Sequence, residues 1–137
     1  MMEKLTFDTG LQSYRINGGG ILRFNPADPN VYARFMEAAE SIRAAEKELE
    51  QASDVLGAIT ELDKKVKDLL GNVFGGGNDF HQLLGGVNLL AVAGNGERVI
   101  TNLLAALQPV LIQGARRCAG QLAEDAVKKA EVRRALQ

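Results

Sequence analysis

The sequence predicts an α+β fold that is mainly α, with a small N-terminal antiparallel β-hairpin or sheet followed by four or five helices. Short alternating apolar stretches separated by glycine-rich turns occupy residues 1–25, and a long helical pattern covers residues 28–72. A glycine-rich hub with short helices follows at 73–96, and a C-terminal helix at 97–137. We expect these four regions to form one domain with more than half of its residues in helices, since 137 residues suffice for one core.

Three short strands are possible in the first region, at about residues 4–8, 12–17 and 20–24. Each contains two apolar residues that alternate with polar ones: Leu5 and Phe7, Tyr14 and Ile16, Leu22 and Phe24. The segments Asp8–Gly10 and Asn17–Gly20 have turn chemistry, because glycine and asparagine accept positive φ angles. The second and third strands form the favoured hairpin.

Asp28 followed by Pro29 is a strong helix start, since the aspartate can accept N–H bonds from the first turn and proline fits its first position. Two heptad lines follow: Phe35, Ile42, Leu49 and Leu56, beside Ala38, Ala45, Ala52 and Ile59. Gly57 weakens the helix. The pattern therefore predicts either one long bent helix over 29–70 or two helices that meet near 53–58.

The hub alternates apolar clusters with the glycine breaks at 75–77, 85–86 and 94–96. We predict short helices near 78–84 and 86–93, which must bury themselves because such short helices are unstable alone. The last helix opens after Asn95-Gly96-Glu97. Its apolar line continues past Pro109, which predicts a kink rather than an end.

No residue pattern indicates catalysis or a cofactor, and we predict neither an enzyme nor a small-molecule substrate. His81 and Cys118 are each the sole residue of their type, too few for a structural zinc site, and both fit packing positions. Gly94-Asn95-Gly96 lacks the third glycine of a dinucleotide fingerprint, and Gly75-Gly76-Gly77 lacks the Lys-Ser/Thr pair of a phosphate-binding loop.

The charge pattern is uneven although the net charge is only −1. Residues 37–68 carry nine acidic and five basic side chains, net −4, and residues 97–137 carry four acidic and seven basic, net +3. These are either two solvated faces that attract each other or a basic tail that meets an acidic partner. We expect no nucleic-acid or membrane partner, and a cytoplasmic protein because a single cysteine suits a reducing compartment.

The order of motifs resembles the small tail assembly chaperones of long-tailed, siphovirus-type bacteriophages and prophages. The resemblance covers about residues 4–107. It rests on LTFDTGLQSYRING, then LRFNPADPNVYARF and a long charged helix, then DLLGNVFG, a GGVN segment and NGERVITNLLAAL. The sequence departs from the family pattern at Leu84-Gly85-Gly86, where an aromatic–glycine pair is usual, and at Gly94-Asn95-Gly96-Glu97, where a proline-containing turn is usual. It also continues about 30 residues past the matching helix.

The resemblance implies a non-enzymatic chaperone that binds the phage tape-measure protein and helps tail-tube protein assemble around it. Such a protein acts in the bacterial cytoplasm and is expected to be absent from the mature virion. The alternative is a structural phage tail component or a coiled-coil adaptor protein.

A chaperone of this kind needs apolar surface that charge keeps in solution. The predicted partner or oligomer surface lies on the heptad seam and the hub. Its residues are Phe35, Ile42, Leu49, Leu56, Ile59, Val73, Phe74, Phe80, Leu83 and Leu84. The alternative is that these residues are buried within the monomer or a homo-oligomer.

A 40-residue helix would be about 60 Å long and would overhang a domain of this size. We therefore predict a homo-oligomer, most simply a dimer, held partly through residues 35–59. If the helix folds back near Gly57, the seam can instead close within one chain.

Overall fold

The computed structural model describes residues 1–136. It confirms the mainly helical α+β fold, with 62% of the chain in helices. The elements are β1 (Gln12–Arg15), β2 (Ile21–Phe24), α1 (Pro29–Glu48), α2 (Val55–Phe74), α3 (Phe80–Leu83) and α4 (Val99–Ala135), with a short 3₁₀ turn at Leu49–Gln51.

The predicted β1–β2 hairpin is confirmed. The strands are antiparallel, with Gln12 opposite Phe24 and Tyr14 opposite Leu22. Leu22 and Phe24 are buried, so the inner face of the hairpin covers the core. Asn17 and Gly18 take the positive φ angles, 49° and 76°, at the turn.

The predicted strand at 4–8 is wrong, since residues 1–11 belong to no strand or helix. The reason lies at the root of this segment. The Asn25 side-chain amide donates to the Thr9 carbonyl at 3.0 Å, and Gly10 packs against the same side chain. These contacts hold the chain beside the end of β2, so it does not turn back along β1.

The other edge of the sheet is closed by a side chain. Asn78 Oδ1 accepts the Arg23 amide at 2.9 Å, and Asn78 Nδ2 donates to the Arg23 carbonyl at 2.7 Å. Nδ2 also donates to the Gly75 carbonyl. Asn78 therefore takes the place of a neighbouring strand for one residue of β2 and ties the hairpin to the glycine loop after α2.

We expect Asn78→Ala to lower the free energy of unfolding by about 1–3 kcal/mol, because an amide and two carbonyls lose their partner. Urea denaturation followed by circular dichroism measures the change. Asn72→Ala is the control, since Asn72 is exposed near the end of α2. Equal stability of the two variants would contradict the anchoring role of Asn78.

Two helices, not one long helix, occupy residues 29–74, which confirms the second of the two alternatives. Asp28 caps α1 by accepting the Asn30 amide at 2.9 Å, and Asp54 caps α2 by accepting the Gly57 amide at 3.1 Å. The chain reverses at residues 49–54, slightly earlier than predicted. Gly57 lies inside the first turn of α2, beneath the Asp54 carboxylate, where a Cβ would collide with that cap.

The hub contains one short helix. Helix α3 lies within the predicted segment 78–84, whereas the predicted helix at 86–93 is wrong. Here the amides have partners outside a helix: Leu89 N–H donates to Asp63 Oδ1 at 2.7 Å, and Leu90 N–H donates to Asn88 Oδ1 at 2.8 Å. The Leu89 carbonyl accepts the Ile100 amide. The segment thus links α2 to the start of α4, with Leu89 and Leu90 fully buried.

Helix α4 continues through Pro109 for 37 residues, as the periodicity predicted. Its buried positions all lie in the first half: Ile100, Leu107, Leu111 and Gly114. Gly114 contacts the Pro26 carbonyl, where the chain passes from β2 to α1. From residue 116 onward nearly every side chain is exposed. We call residues 116–135 the overhang of α4; at 1.5 Å per residue it is about 30 Å long.

Candidate partner-binding surface

Half of the predicted partner surface lies in the core. Phe35 and Ile42 on α1, Val73 and Phe74 on α2, and Phe80 on α3 are all buried. Phe74 contacts Phe24 and Phe80, with ring centroids 4.7 and 5.7 Å apart. The reversal at 49–54 brings α2 onto the seam of α1, so the seam closes within one chain. These five residues are therefore core and not partner surface.

The other five predicted residues are at least partly accessible. Leu49, Ile59, Leu83 and Leu84 are partly buried and pack against the core. Leu56 alone among the ten is largely exposed, at 78% of its surface. Leu49 and Ile59 line a shallow depression at the α1–α2 reversal, together with Val55. This leaves a small apolar patch at that end of the molecule.

Sequence reasoning missed the largest exposed apolar segments. One is the arm, which we define as residues 1–11: Leu5 is 88% exposed and Phe7 is 75% exposed. The other is the overhang of α4, where Leu122, Val127 and Val132 are also more than half exposed. The alternation in the arm was visible in the sequence but was assigned to a paired strand. The apolar periodicity of α4 continues through the overhang, and the sequence does not show that the overhang packs against no other element.

An apolar groove of about 450 Å³ separates the hairpin from α4. Tyr14 and Ile16 of β1 form one wall, and Leu103, Ala106 and Val110 of α4 form the other. Tyr14 stacks on Phe24, with ring centroids 5.0 Å apart, which fixes the floor near β2. The groove was not predicted, because its two walls are about 90 residues apart in the sequence.

The overhang carries charge as well as apolar residues. Residues 116–136 contain six basic and three acidic side chains, net +3. On the body, α1 and α2 keep exposed carboxylates such as Glu37, Glu40 and Glu61. Because α4 leaves the body after Gly114, the basic overhang does not lie against these acidic faces in one chain.

The polar groups that could suggest chemistry have structural partners. His81 Nε2 lies 2.8 Å from Asp68 Oδ1, and both side chains are substantially exposed. Cys118 lies on α4, whereas His81 lies on α3, and Cys118 is partly buried. Among residues 1–136 no group of three or more His, Cys, Asp or Glu side chains is placed to hold a metal ion.

One buried ion pair lies beneath the hub. Lys67 Nζ donates to Asp63 Oδ2 at 2.9 Å, with Lys67 4% and Asp63 9% exposed. Asp63 Oδ1 holds the Leu89 amide. The pair thus spans one turn of α2 and fixes the loop that leads to α4.

Comparison with protein-family models, with curated proteins and with solved structures gave no match. Within residues 1–136, none of the helices combines the length and apolar character that crossing a bilayer requires.

Proposed function

We propose that this protein is a non-enzymatic tail assembly chaperone of a long-tailed bacteriophage or prophage, which binds the tape-measure protein and helps tail-tube assembly. It acts in the cytoplasm of the bacterial host and leaves before the virion is complete. The proposal begins from the ordered sequence motifs over residues 4–107. These motifs contain β1 with its turn, β2 with the capped start of α1, the end of α2 and the start of α4.

The observation that carries the proposal is the overhang of α4. It holds Leu122, Val127 and Val132 in water on a helix with net charge +3 across 116–136. A chaperone for a long hydrophobic helical protein must lend apolar surface to that partner without precipitating itself. Cys118, Leu122 and Ala126 are four residues apart and share one face of this helix, while Val127 and Val132 lie on other faces. That face can lie along a partner helix, while the packed body remains unchanged.

The heptad seam and the hub are not the proposed binding surface, because five of their ten predicted residues are buried in the core. The partner surface is instead the overhang, with Leu122 near its centre. Glu124 and Asp125 lie close to Leu122, but Arg116, Arg117, Lys128 and Lys129 flank them and make the overhang basic as a whole, which favours a partner helix with exposed carboxylates.

The second candidate function is a coiled-coil adaptor or structural tail component. The same overhang favours it, since an exposed helix can also pair permanently with another helix in a finished assembly. The two functions differ in the fate of the protein: an adaptor stays in the virion, and a chaperone does not.

Co-expression with the tape-measure protein, a very long helical protein expected from a neighbouring reading frame, tests the proposal. We expect the soluble fraction of the tape-measure protein to rise several-fold with the wild-type chain and to fall back with Leu122→Asp. Leu56→Asp is the matched control, since Leu56 is 78% exposed against 67% for Leu122 but lies at the α1–α2 reversal. An unchanged soluble fraction with the wild-type chain would contradict the proposal.

A further inference from the structure

The sheet has one closed edge and one open edge. Asn78 closes the β2 edge at Arg23, as described above. On β1, residues Gln12, Tyr14 and Ile16 face β2 through the hydrogen-bonded pairs, so the amides and carbonyls of Ser13 and Arg15 point away from the sheet. Ser13 and Arg15 are exposed. Unpaired backbone groups on an edge strand are a template for another strand.

The arm has the pattern of a strand that lacks a neighbour. Leu5 and Phe7 alternate with Lys4, Thr6 and Asp8, which places the two apolar side chains on one face of an extended segment. Both are more than 70% exposed in the single chain. Leaving two large apolar side chains in water forgoes about 1.5–3 kcal/mol for each.

An arm beside β1 would fill the groove. Side chains on adjacent strands point to the same face where they are opposite, so Leu5 and Phe7 would lie next to Tyr14 and Ile16, above the α4 wall of the groove. The polar residues of the arm would then share the outer face with Ser13 and Arg15, which sets the Asp8 carboxylate near the Arg15 guanidinium. Backbone pairing, apolar burial and charge agree in this arrangement.

The arm of the same chain is held away from this edge. The bond from Asn25 to the Thr9 carbonyl and the contact of Gly10 with Asn25 hold the root of the arm next to the residue that follows β2. The open edge of β1 faces away from β2. A second copy of the chain has no such restriction, and its arm brings the same alternating residues.

We infer that residues 4–8 of a second copy pair with the open edge of β1 and insert Leu5 and Phe7 into the groove between the hairpin and α4. The exchange is reciprocal, so the two copies form a symmetric dimer. This interface differs from the seam over residues 35–59, whose Phe35 and Ile42 are buried within the chain. It is also separate from the overhang, so a result that contradicts the dimer would leave the proposed chaperone function unaffected, and the reverse also holds.

Light scattering coupled to size-exclusion chromatography tests the dimer. We expect the wild type to be a dimer and Phe7→Asp to be a monomer at the same concentration. The dissociation constant of the dimer should rise at least tenfold with this substitution. Leu122→Asp is the matched control and should remain a dimer, because Leu122 is exposed on the overhang. Both substitutions are at exposed positions of the single chain. Thermal unfolding of Phe7→Asp should therefore show the same midpoint as the wild type diluted until it is monomeric. A monomeric wild type or a dimeric Phe7→Asp variant would overturn the inference.

Disulfide trapping tests the position of the arm. In a Cys118→Ala background, chains with Thr6→Cys are mixed with chains of different mass that carry either Ser13→Cys or Arg15→Cys. We expect a disulfide between the two different chains for at least one of these pairs and none with the control Gln108→Cys, which is exposed on α4. If Thr6→Cys forms no such disulfide, or forms it only within a chain that carries both cysteines, the exchange is wrong.

Discussion

Replacing Asp63 by alanine is expected to lower the free energy of unfolding by about 3–5 kcal/mol, because the Lys67 ammonium would remain buried without its counter-charge. Lys67 Nζ lies 2.9 Å from Asp63 Oδ2, and only 4% of the Lys67 surface is exposed. The same carboxylate accepts the Leu89 amide, so the loop that packs Leu89 and Leu90 would lose its anchor as well. Calorimetry should show a melting temperature lower by about 10 °C or more.

Two variants separate the buried charge from the other effects of this substitution. Glu61→Ala removes an exposed partner of Lys64 on the same helix, 3.7 Å away, and should change stability by less than about 1 kcal/mol. The double variant Asp63→Leu with Lys67→Met removes both charges and leaves mainly the Leu89 amide unpaired. It should be clearly more stable than Asp63→Ala. If the double variant is the less stable one, the buried ammonium is not the main cause.

Replacing Gly114 by alanine should destabilise the protein by about 1–3 kcal/mol, although alanine is the better helix former. A Cβ at this position would collide with the Pro26 carbonyl, which is backbone and cannot move aside as a flexible side chain would. The collision would push α4 away from the junction of β2 and α1. Urea denaturation of the purified variant measures the loss.

Gly120→Ala is the matched control for this close approach. Gly120 lies six residues further along α4, and a Cβ there would meet nothing within 4 Å. This substitution should stabilise the helix by about 0.5–1 kcal/mol, as expected where only propensity counts. If the two alanine variants behave alike, α4 does not pack tightly against Pro26.

The sequence predicted the elements whose signals are local. The hairpin follows from the glycine turn after Ile16, and the start of α1 follows from the Asp28–Pro29 pair, which needs only its own first turn. Continuation of α4 past Pro109 follows from periodicity alone. In each case neighbouring residues favour the observed backbone, and the tertiary contacts agree with the local pattern.

Two errors arose where distant groups decide the conformation. Residues 86–93 have helix-like apolar spacing, but Asp63, far away on α2, takes the Leu89 amide. Residues 4–8 have strand-like alternation, but Asn25, which follows β2, binds the root of the arm at Thr9. Neither bond leaves a trace in the local sequence.

Half of the residues predicted for the partner surface are core for a related reason. A heptad seam has the same appearance whether it packs on its own chain or on another. The deciding feature is the reversal at 49–54, where the Asp54 cap starts a second helix and folds it back onto Phe35 and Ile42. The groove beside β1 exists because the hairpin and α4 pack beside each other. The overhang of α4 exists because no element covers residues 116–135. Apolar periodicity does not predict either feature.

We propose that this protein serves tail assembly and is not part of the finished tail. Quantitative mass spectrometry of an induced lysate and of virions purified from it tests this most directly, with the chain immunoprecipitated from the soluble fraction. We predict that the tape-measure protein co-precipitates with the chain in the lysate and that the chain is absent from the virions. Stoichiometric amounts of the chain in virions, without co-precipitation of the tape-measure protein, would contradict the proposed chaperone function.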